Sequence, residues 1–356
     1  MLFLSAQEKS DWLTMAEEIV RTVASPGVYE GSVRSNLSPV FSYYIGTFLA
    51  ARGQSDRCTE WLREAALTEH SGLFSAGFLL GFLTRNQGGF SMPAVAFREP
   101  LAFLHFTGIP LMQESRKKFI EESGKSLPHF DKPLSAMDIG CGDGGLTVAL
   151  MKHLQDIGKV DEIARILLID SSPAMLDLAE KTIRSAFPDV HVSLECSRIQ
   201  DCSARINQHV DLALSSLAYH HMPLEEKRIH LEYLKPWIDN FLLFEMDANN
   251  DTPELYSPEL ALSVYQSYGG IVDRTFSYDA PVEVAVQSLD QFLLTEIISF
   301  FTEPRGIRSD YHMLQNQWYD LFTGCLGPEF SPRCWSPCYA DEYTSLFLMH
   351  FGNDDA

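Results

Sequence analysis

Basic residues are scarce in this sequence of 356 residues. It has 27 lysines and arginines against 48 acidic residues, which gives a formal net charge of −21. A field of this sign repels the phosphate backbone of DNA and RNA unless a local basic patch overrides it. The sequence shows no such patch, so we predict that nucleic acid is neither a partner nor a substrate.

Segments typical of exported or membrane-spanning proteins are also missing. The opening residues, MLFLSAQEKSDW, lack a basic region followed by a long apolar core, so they do not resemble a secretory signal. The longest apolar candidate, residues 72–83, is shorter than the roughly 20 residues of a membrane span and contains Ser75. We therefore predict a cytoplasmic protein without a membrane partner.

The cysteines form no recognisable framework. There are seven, at irregular spacings, and an odd number at irregular spacing favours reduced thiols over disulfides. Cys334 and Cys338 have the spacing of a metal-binding pair, but no second pair accompanies them. We predict two packed thiols there, and no metal.

What the sequence does contain is a change of pattern near residue 130. Residues 1–130 read as helical, with Trp12, Met15 and Ile19 at helical spacing. From Leu134 to residue 250, apolar strands alternate with helices, which is typical of an α/β fold with a doubly wound, mostly parallel sheet. The first strand is predicted before the glycines of residues 134–150, and the others at 164–169, 191–194, 210–214 and 240–245.

Residues 134–150, LSAMDIGCGDGGLTVAL, read as a buried strand, a glycine turn and an amphipathic helix. Glycines at 140, 142 and 144 let a ligand approach the backbone near the start of a helix. The same letters also fit the G-x-G-x-x-G dinucleotide pattern or a purely structural turn, so the motif alone leaves the ligand open. The glycine turn is not followed by a lysine and then a serine or threonine, which excludes a Walker loop there.

Asp170 ends the second predicted strand, 28 residues beyond Gly142. A carboxylate at that place can accept hydrogen bonds from both ribose hydroxyls of an adenosine ligand. Capping of the next helix is the alternative role, but Ser172 already suits it and Pro173 suits the first helical position. We therefore predict that Asp170 contacts the ligand.

Three segments, MDIGCGDGG, LLIDSSPAM and VDLALSSLAYHHM, resemble in order and spacing the motifs of class I S-adenosylmethionine-dependent methyltransferases. The resemblance covers residues 130–250 well and 311–352 loosely, where it implies a late helix and a closing antiparallel pair. It implies a seven-stranded Rossmann-like sheet, methyltransferase activity and S-adenosylmethionine as cofactor. The chain then divides into a helical cap region (1–130), the cofactor-binding core (131–250), a helical insertion after strand five (251–310) and the end of the core (311–356).

The resemblance also implies a set of cofactor-binding residues. Asp138 stands where the family has a carboxylate that reaches the methionine end of the cofactor. The family's adenine-binding aspartate is replaced here by Arg198, so Gln200 or Asp201 is expected to take its role. The full set is Asp138, Gly140, Cys141, Gly142, Asp170, Ser171, Met175, Gln200, Asp201 and Ser215.

Catalytic candidates follow the fourth strand. His220 and His221 lie in the loop that resembles the family's substrate-facing segment, and histidine is suited to proton removal near neutral pH. Two adjacent histidines are expected to point apart, with one facing the site, while Glu245 or Asp247 serves as a rival base or orients the imidazole. Loop histidines that bond backbone, or an amine acceptor that needs no base, are the alternatives.

Substrate-binding candidates are Arg308, Tyr311 and His312. The planar fork of Arg308 would suit a carboxylate or phosphate. Asp310 is expected to cap the last long helix.

We predict a small-molecule acceptor with an O, N or C nucleophile. A protein or peptide methyltransferase, and a non-catalytic S-adenosylmethionine-binding regulatory protein, remain alternatives, and a homodimer is left open. Aromatic residues in 1–130 and 251–310 are predicted to form a lid, or else two ordinary cores; they are Tyr43, Tyr44, Phe97, Phe103, Phe106, Tyr265, Phe276, Phe292, Phe300 and Phe301.

Overall fold

The computed structural model describes residues 2–29, 31–86, 89–90 and 100–355. Its N-terminal part is helical, as predicted. Ser5 caps the first helix through a capping box with Glu8. The helices of this part are α1 (Ala6–Thr22), α2 (Ser38–Ala50), α3 (Ser55–Leu67), α4 (Ala76–Arg85), α5 (Pro100–Gly108) and α6 (Pro110–Ser126).

A seven-stranded sheet forms the centre of the rest of the described chain. Its order is β3-β2-β1-β4-β5-β7-β6, with the first five strands parallel and β7 antiparallel to both β5 and β6. This confirms the predicted doubly wound, mostly parallel sheet. The strands are β1 (Leu134–Ile139), β2 (Ile163–Asp170), β3 (His191–Cys196), β4 (Val210–Ser216), β5 (Ile238–Met246), β6 (Phe330–Ala340) and β7 (Ser345–Asn353).

Burial explains which strands are central. All six residues of β1 are buried, because helices cover both faces of a parallel sheet. The edge strand β3 alternates between exposed and less exposed positions. Strands β2 and β3 are added on one side of β1, and β4 and β5 on the other, so the strand order reverses between β1 and β4; such a switch point leaves a crevice at the carboxyl ends of the strands.

The helices between strands pack on the two faces of the sheet. They are α7 (Gly145–Asp156), α8 (Pro173–Ala186), α9 (Ile199–Cys202) and α10 (Leu224–Leu234). As predicted, Ser172 caps α8 by accepting from the Met175 amide, and Pro173 opens the helix. All seven cysteines are free, as predicted.

After β5 the chain forms α11 (Pro258–Ser277), α12 (Val282–Thr302) and α13 (Gln315–Leu326). Among the described residues α12 is the one helix long and apolar enough, by length and composition, to cross a membrane, which the sequence analysis did not predict. It contacts α5 and α11, and 61% of its most apolar window is buried within the protein, as in a core helix.

The N-terminal helices and the insertion pack on each other. The Tyr44 hydroxyl donates to the Tyr256 carbonyl (3.2 Å), the Phe74 amide donates to the Gly269 carbonyl (3.0 Å), and Tyr43 lies edge-on to Tyr265. Most of the predicted lid aromatics are therefore core residues between helices. Phe97 lies outside the described residues.

Candidate functional site

The glycine turn after β1 is tightly held. Gly140, Gly142 and Gly144 have φ angles of +73°, +54° and +72°, which L side chains rarely adopt. The Gly140 and Cys141 amides both donate to the Ile169 carbonyl, at 2.8 and 3.1 Å. A Cβ on Gly140 would lie 2.3 Å from that of Ala218, so the turn is pressed against the loop after β4.

Asp170 faces this turn from the end of β2. Its carboxylate accepts from the amides of Gly142 (3.1 Å) and Ser172 (2.8 Å). Burial raises the pKa of this carboxyl, and the two amides oppose the rise. Asp170 therefore orders the loop that it faces.

A cavity of about 490 Å³ opens beyond the turn, within the size range of small-molecule sites. Its floor includes predicted cofactor residues at the carboxyl ends of β1 and β2, namely Asp138, Gly140, Cys141, Gly142, Asp170 and Ser171. Its roof comes from α5, α6, α11 and α12, including Phe103, Phe106, Met112, Tyr268, Ile271 and Phe292. Both helical regions thus lie on the ligand side of the sheet.

Two charged groups lie in the wall near the turn. Asp138 is 4% exposed and accepts from the Thr147 hydroxyl, and burial raises its pKa to about 7. Arg116, on α6, has a buried Nε that makes no hydrogen bond among the described residues. Burial lowers the pKa of Arg116, while the carboxylates of Asp143 and Asp138 oppose that shift. Sequence reasoning missed Arg116 because α6 carries no motif.

Three predicted cofactor residues lie outside the wall of this cavity. Met175 lies on the inward stripe of α8 and is 1% exposed. Asp201 is exposed and pairs with Arg198 (2.8 Å). Ser215 is fully buried and its neighbour Ser216 lines the cavity instead, because successive strand residues face opposite sides.

Gln200 does line the cavity, and so does Arg198. Of the two residues considered for the adenine contact, only Gln200 is therefore in place.

Glu245 lies beneath the loop after β4 rather than in the cavity wall, and it is completely buried. One carboxylate oxygen accepts from the amides of Tyr219 (3.0 Å) and His220 (3.3 Å), while the other contacts His220 Nδ1 at 2.9 Å. Glu245 thus orients the His220 ring, one of the two roles considered for it. Asp247, its rival, instead accepts from Gln315 (3.0 Å).

Both adjacent histidines line the cavity, which contradicts the expectation that they point apart. Their ring centroids are 4.2 Å apart, and both rings approach Asp310 Oδ1, with His221 Nδ1 at 2.8 Å and His220 Nε2 at 3.5 Å. Enclosure opposes protonation of His221, but the Asp310 carboxylate outweighs it and raises the His221 pKa to about 10. For Asp310, burial is outweighed by His221, which lowers the Asp310 pKa.

Asp310 is not a helix cap, since α13 begins at Gln315. The Tyr311 amide donates to the His220 carbonyl (2.6 Å), which pins the chain so that Asp310 and His312 line the cavity. Tyr311, a predicted substrate-binding residue, is 1% exposed and does not line the cavity. His312 stacks on His220 with centroids 4.0 Å apart.

Arg308 lines the cavity, but its fork is already engaged. Its two Nη atoms donate to the carbonyls of Asn250 (3.0 Å) and Pro253 (2.7 Å), and its buried Nε has no partner among the described residues. Burial lowers the pKa of Arg308. Arg308 therefore anchors the segment before α13 and does not present a free fork to a substrate anion.

Glu296, on α12, is a wall residue that sequence reasoning missed. It accepts from the Tyr268 hydroxyl (2.5 Å), and burial raises its pKa well above the usual range. The apolar run of α12 indicates a core helix, which gives no reason to expect a carboxylate facing a ligand.

Comparison with known proteins gives a family match in the core. Residues 136–236 match a family model described as a methyltransferase domain. Among curated proteins, none matches the sequence.

Solved structures resemble this chain at low identity. SCL7 from Oryza sativa aligns with a TM-score of 0.58 and 14% identity, over 82% of this chain and 93% of that one. The magnesium protoporphyrin IX methyltransferase of Synechocystis PCC 6803, with bound SAH, has a TM-score of 0.43 and 12% identity, over 71% and 93%. A cyclopropane synthase from Mycobacterium tuberculosis has a TM-score of 0.44 and 12% identity, over 72% and 95%. The likeness to SCL7 supports the fold alone.

Proposed function

We propose that this protein, whose residues 136–236 match a family model described as a methyltransferase domain, is an S-adenosylmethionine-dependent methyltransferase that methylates an O, N or C nucleophile of a small molecule. The observation that carries the proposal is the cavity of about 490 Å³, which four helices roof over the carboxyl ends of the strands. A roofed cavity suits a compact acceptor, whereas a protein substrate needs an open groove.

The charges near the turn fit the amino-acid end of the cofactor. Asp138 is placed to accept from its ammonium group, and Arg116 to pair with its carboxylate through a guanidinium fork. Asp170 and Ser171, at the end of β2, lie where the ribose is expected, and Gln200 lies where the adenine is expected.

Methyl transfer is an in-line displacement at the carbon of a sulfonium, so the protein contributes mainly alignment and exclusion of water. Phe103, Phe106 and Phe292 form an apolar wall that serves both purposes. His220, His221 and Asp310 provide a polar end to the same cavity. We place the acceptor nucleophile at this polar end, with Glu245 holding His220 in position.

Calorimetric titration with S-adenosylhomocysteine, the demethylated product, tests the cofactor site. We expect Asp170→Ala to weaken binding at least about tenfold, because it removes a buried carboxylate that faces the ligand and orders the turn. Asp177→Ala is the matched control, since Asp177 is exposed on α8 outside the cavity, and this variant should bind as the unmodified protein does. Absence of binding by the intact protein would overturn the assignment.

The acceptor is tested separately by incubating the protein with S-adenosylmethionine and small-molecule fractions, and then measuring S-adenosylhomocysteine. Production with small molecules supports the proposal. Methyl transfer confined to proteins or peptides, or tight cofactor binding without any turnover, would contradict it and favour one of the two alternatives.

A further inference from the structure

Three metal-ligating side chains converge at the polar end of the cavity. His220, Asp310 and His312 are 5%, 0% and 3% exposed. Each offers one donor atom, and these three atoms all lie within 4.8 Å of one another. The set joins the loop after β4 to the segment before α13, so the fold brings it together from distant parts of the chain.

Among the described residues, hydrogen bonding leaves part of this cluster unsatisfied. Asp310 Oδ1 and His312 Nδ1 are buried and make no hydrogen bond among the described residues. His221 Nδ1 lies 2.8 Å from Asp310 Oδ1, as an ion pair when the ring is protonated, and it also contacts the Ser309 carbonyl at 3.3 Å. Buried polar atoms are normally paired, so His312 Nδ1, which has no hydrogen bond, and Asp310 Oδ1, which has only histidine rings near it, are both able to bind an ion.

The neighbours of His220 orient its ring as in a metal-binding histidine. Glu245 contacts Nδ1 at 2.9 Å, which directs Nε2 towards Asp310 at 3.5 Å. A carboxylate behind the far nitrogen of a histidine is the usual support of a metal-binding imidazole. On the Asp310 side, the Ser309 hydroxyl donates to Oδ2 (2.5 Å) and leaves Oδ1 facing the rings.

We propose that His220, Asp310 and His312 bind one divalent transition-metal ion, of the zinc or iron type. Two imidazoles and one carboxylate favour such ions over magnesium or calcium, which prefer oxygen ligands. Bonds of about 2.1 Å allow donors to be at most about 4.2 Å apart, so the cluster needs only a small inward shift to close on an ion. Glu245 is a positioning residue and not a ligand.

Three protein ligands leave open coordination positions, and these face the cavity. If the proposed function is correct, the acceptor is therefore expected to carry an oxygen or nitrogen donor that reaches the ion. This consequence rests on the proposed function, whereas binding of the ion itself does not.

The test uses the full chain, treated with a chelator and then titrated with Zn²⁺ alone or Co²⁺ alone, without any cofactor. We expect one equivalent to bind, with visible cobalt bands typical of nitrogen and oxygen ligands. His312→Phe keeps a ring that can stack on His220 but removes a ligand, and Asp310→Asn keeps the shape and the Ser309 contact. Each should weaken binding at least about tenfold, and Glu245→Gln should weaken it about 10- to 100-fold at unchanged stoichiometry.

A second group, His209, Asp211 and Asp239, supplies the matched control. It also places three donors within 4.8 Å, but it is partly exposed on the surface. His209→Phe should leave the tight equivalent intact. If the intact protein binds no ion, or if His209→Phe removes binding that His312→Phe retains, the proposal is wrong.

Two further readouts keep the outcomes distinguishable. If a variant fails to fold, as shown by its thermal melt, the proton NMR spectrum of the cobalt-loaded wild-type protein tests the proposal instead. Two ligating imidazoles should give paramagnetically shifted proton signals, and the absence of such signals would contradict the proposal. Calorimetry with S-adenosylhomocysteine is run on the same samples. Loss of metal binding with intact S-adenosylhomocysteine binding separates failure of this proposal from failure of the proposed function.

Discussion

Gly140 and Gly158 share a left-handed backbone, with φ angles of +73° and +71°, but they differ in surroundings. A Cβ on Gly140 would lie 2.3 Å from that of Ala218, whereas nothing lies within 4 Å of one on Gly158. Gly158→Ala should therefore cost only the backbone strain, about 1 kcal/mol of unfolding free energy. Gly140→Ala should cost more and should also weaken S-adenosylhomocysteine binding, because the turn must shift.

Denaturant unfolding and calorimetry of these two variants make the comparison. Equal losses of stability, with cofactor binding unchanged in both, would show that the close approach at Gly140 has no part in the site.

Asp138 predicts a pH dependence of cofactor binding. Its carboxyl has a pKa of about 7 because it is buried, and an ammonium group beside it would favour the charged form. Binding should then release a proton below that pH, so affinity should rise from about pH 6 to about pH 7, by at most about tenfold per pH unit. At more alkaline pH the ligand's ammonium group loses its own charge and the affinity should fall.

Calorimetry of S-adenosylhomocysteine binding across this range measures the rise, and Asp138→Asn should remove it. The matched ligand is 5′-methylthioadenosine, which lacks the amino-acid end and should bind with no such rise. If the affinity of Asp138→Asn for S-adenosylhomocysteine rises with pH as in the unmodified protein, a group other than Asp138 causes the rise.

At the residue level, prediction from the sequence succeeded for residues whose role depends on their neighbours along the chain. Asp138, Gly140 and Asp170 stand within one strand-turn unit or at the end of the next strand, and all three line the cavity. Arg116 and Glu296 could not be predicted, because tertiary packing alone brings α6 and α12 to the site. The prediction named Ser215 where Ser216 lines the cavity. In a strand, an error of one residue moves the predicted side chain to the opposite face of the sheet.

At the level of elements, α5 offers a test of the cavity roof. The Phe103 ring lies 5.7 Å from that of Phe292 and presses on Gly142, so it joins α5, α12 and the turn. Phe103→Ala should weaken S-adenosylhomocysteine binding about fivefold, in line with the roughly 1 kcal/mol of an aromatic contact. On the same helix Leu104 is 47% exposed, and Leu104→Ala should leave binding unchanged.

Calorimetry of the two variants decides this point. If both variants bind as the unmodified protein does, α5 plays no part in closing the site.

Strands and helices of the core were predictable because each has its own local signal. Predicted strands at 164–169 and 240–245 compare with β2 (Ile163–Asp170) and β5 (Ile238–Met246). By contrast, the start of α13 was placed too early, because Asp310 has the chemistry of a helix cap. Its carboxylate is instead occupied by two histidines from a loop some 90 residues earlier.

At the level of the whole molecule, His350 links three elements and should make stability depend on pH. It contacts Ser126 of α6 (2.9 Å) and Asn240 of β5 (3.1 Å) from its place on β7. Burial lowers its pKa to about 3, and Arg333 and Lys159 add to this. The unfolded chain, with a histidine pKa of about 6.5, then binds the extra proton, so stability is complete above about pH 6.5 and falls as the pH drops towards 3.

His350→Gln should be less stable than the unmodified protein at neutral pH. Below about pH 6.5 its unfolding free energy should decline less steeply, by up to about 1.4 kcal/mol per pH unit. His129→Gln is the control, because 55% of that side chain is exposed, and it should follow the unmodified protein. Denaturant unfolding at several pH values measures the slopes, and parallel slopes for all three proteins would contradict the assignment.

The arrangement of the two helical regions could not be read from sequence at this scale. Residues 1–130 and 251–310 carry no motif and lie far apart along the chain, yet α2 packs on α11 and α5 packs on α12. Composition alone could not separate a roof over the cavity from two ordinary cores. The structure contains both, with Phe103 and Phe292 at the cavity and Tyr43 and Tyr265 between helices.

The pairing of β7 between β5 and β6 has a consequence for synthesis on the ribosome. β5 is buried on both faces, and one of its edges stays unpaired until β7, roughly 100 residues later, has been made. At 5 to 20 residues per second that interval is about 5 to 20 s. During it the nascent chain carries an apolar strand with an open edge, the kind of surface that aggregates or recruits chaperones. The growing chain is therefore expected to be most vulnerable while α11 and α12 are being translated.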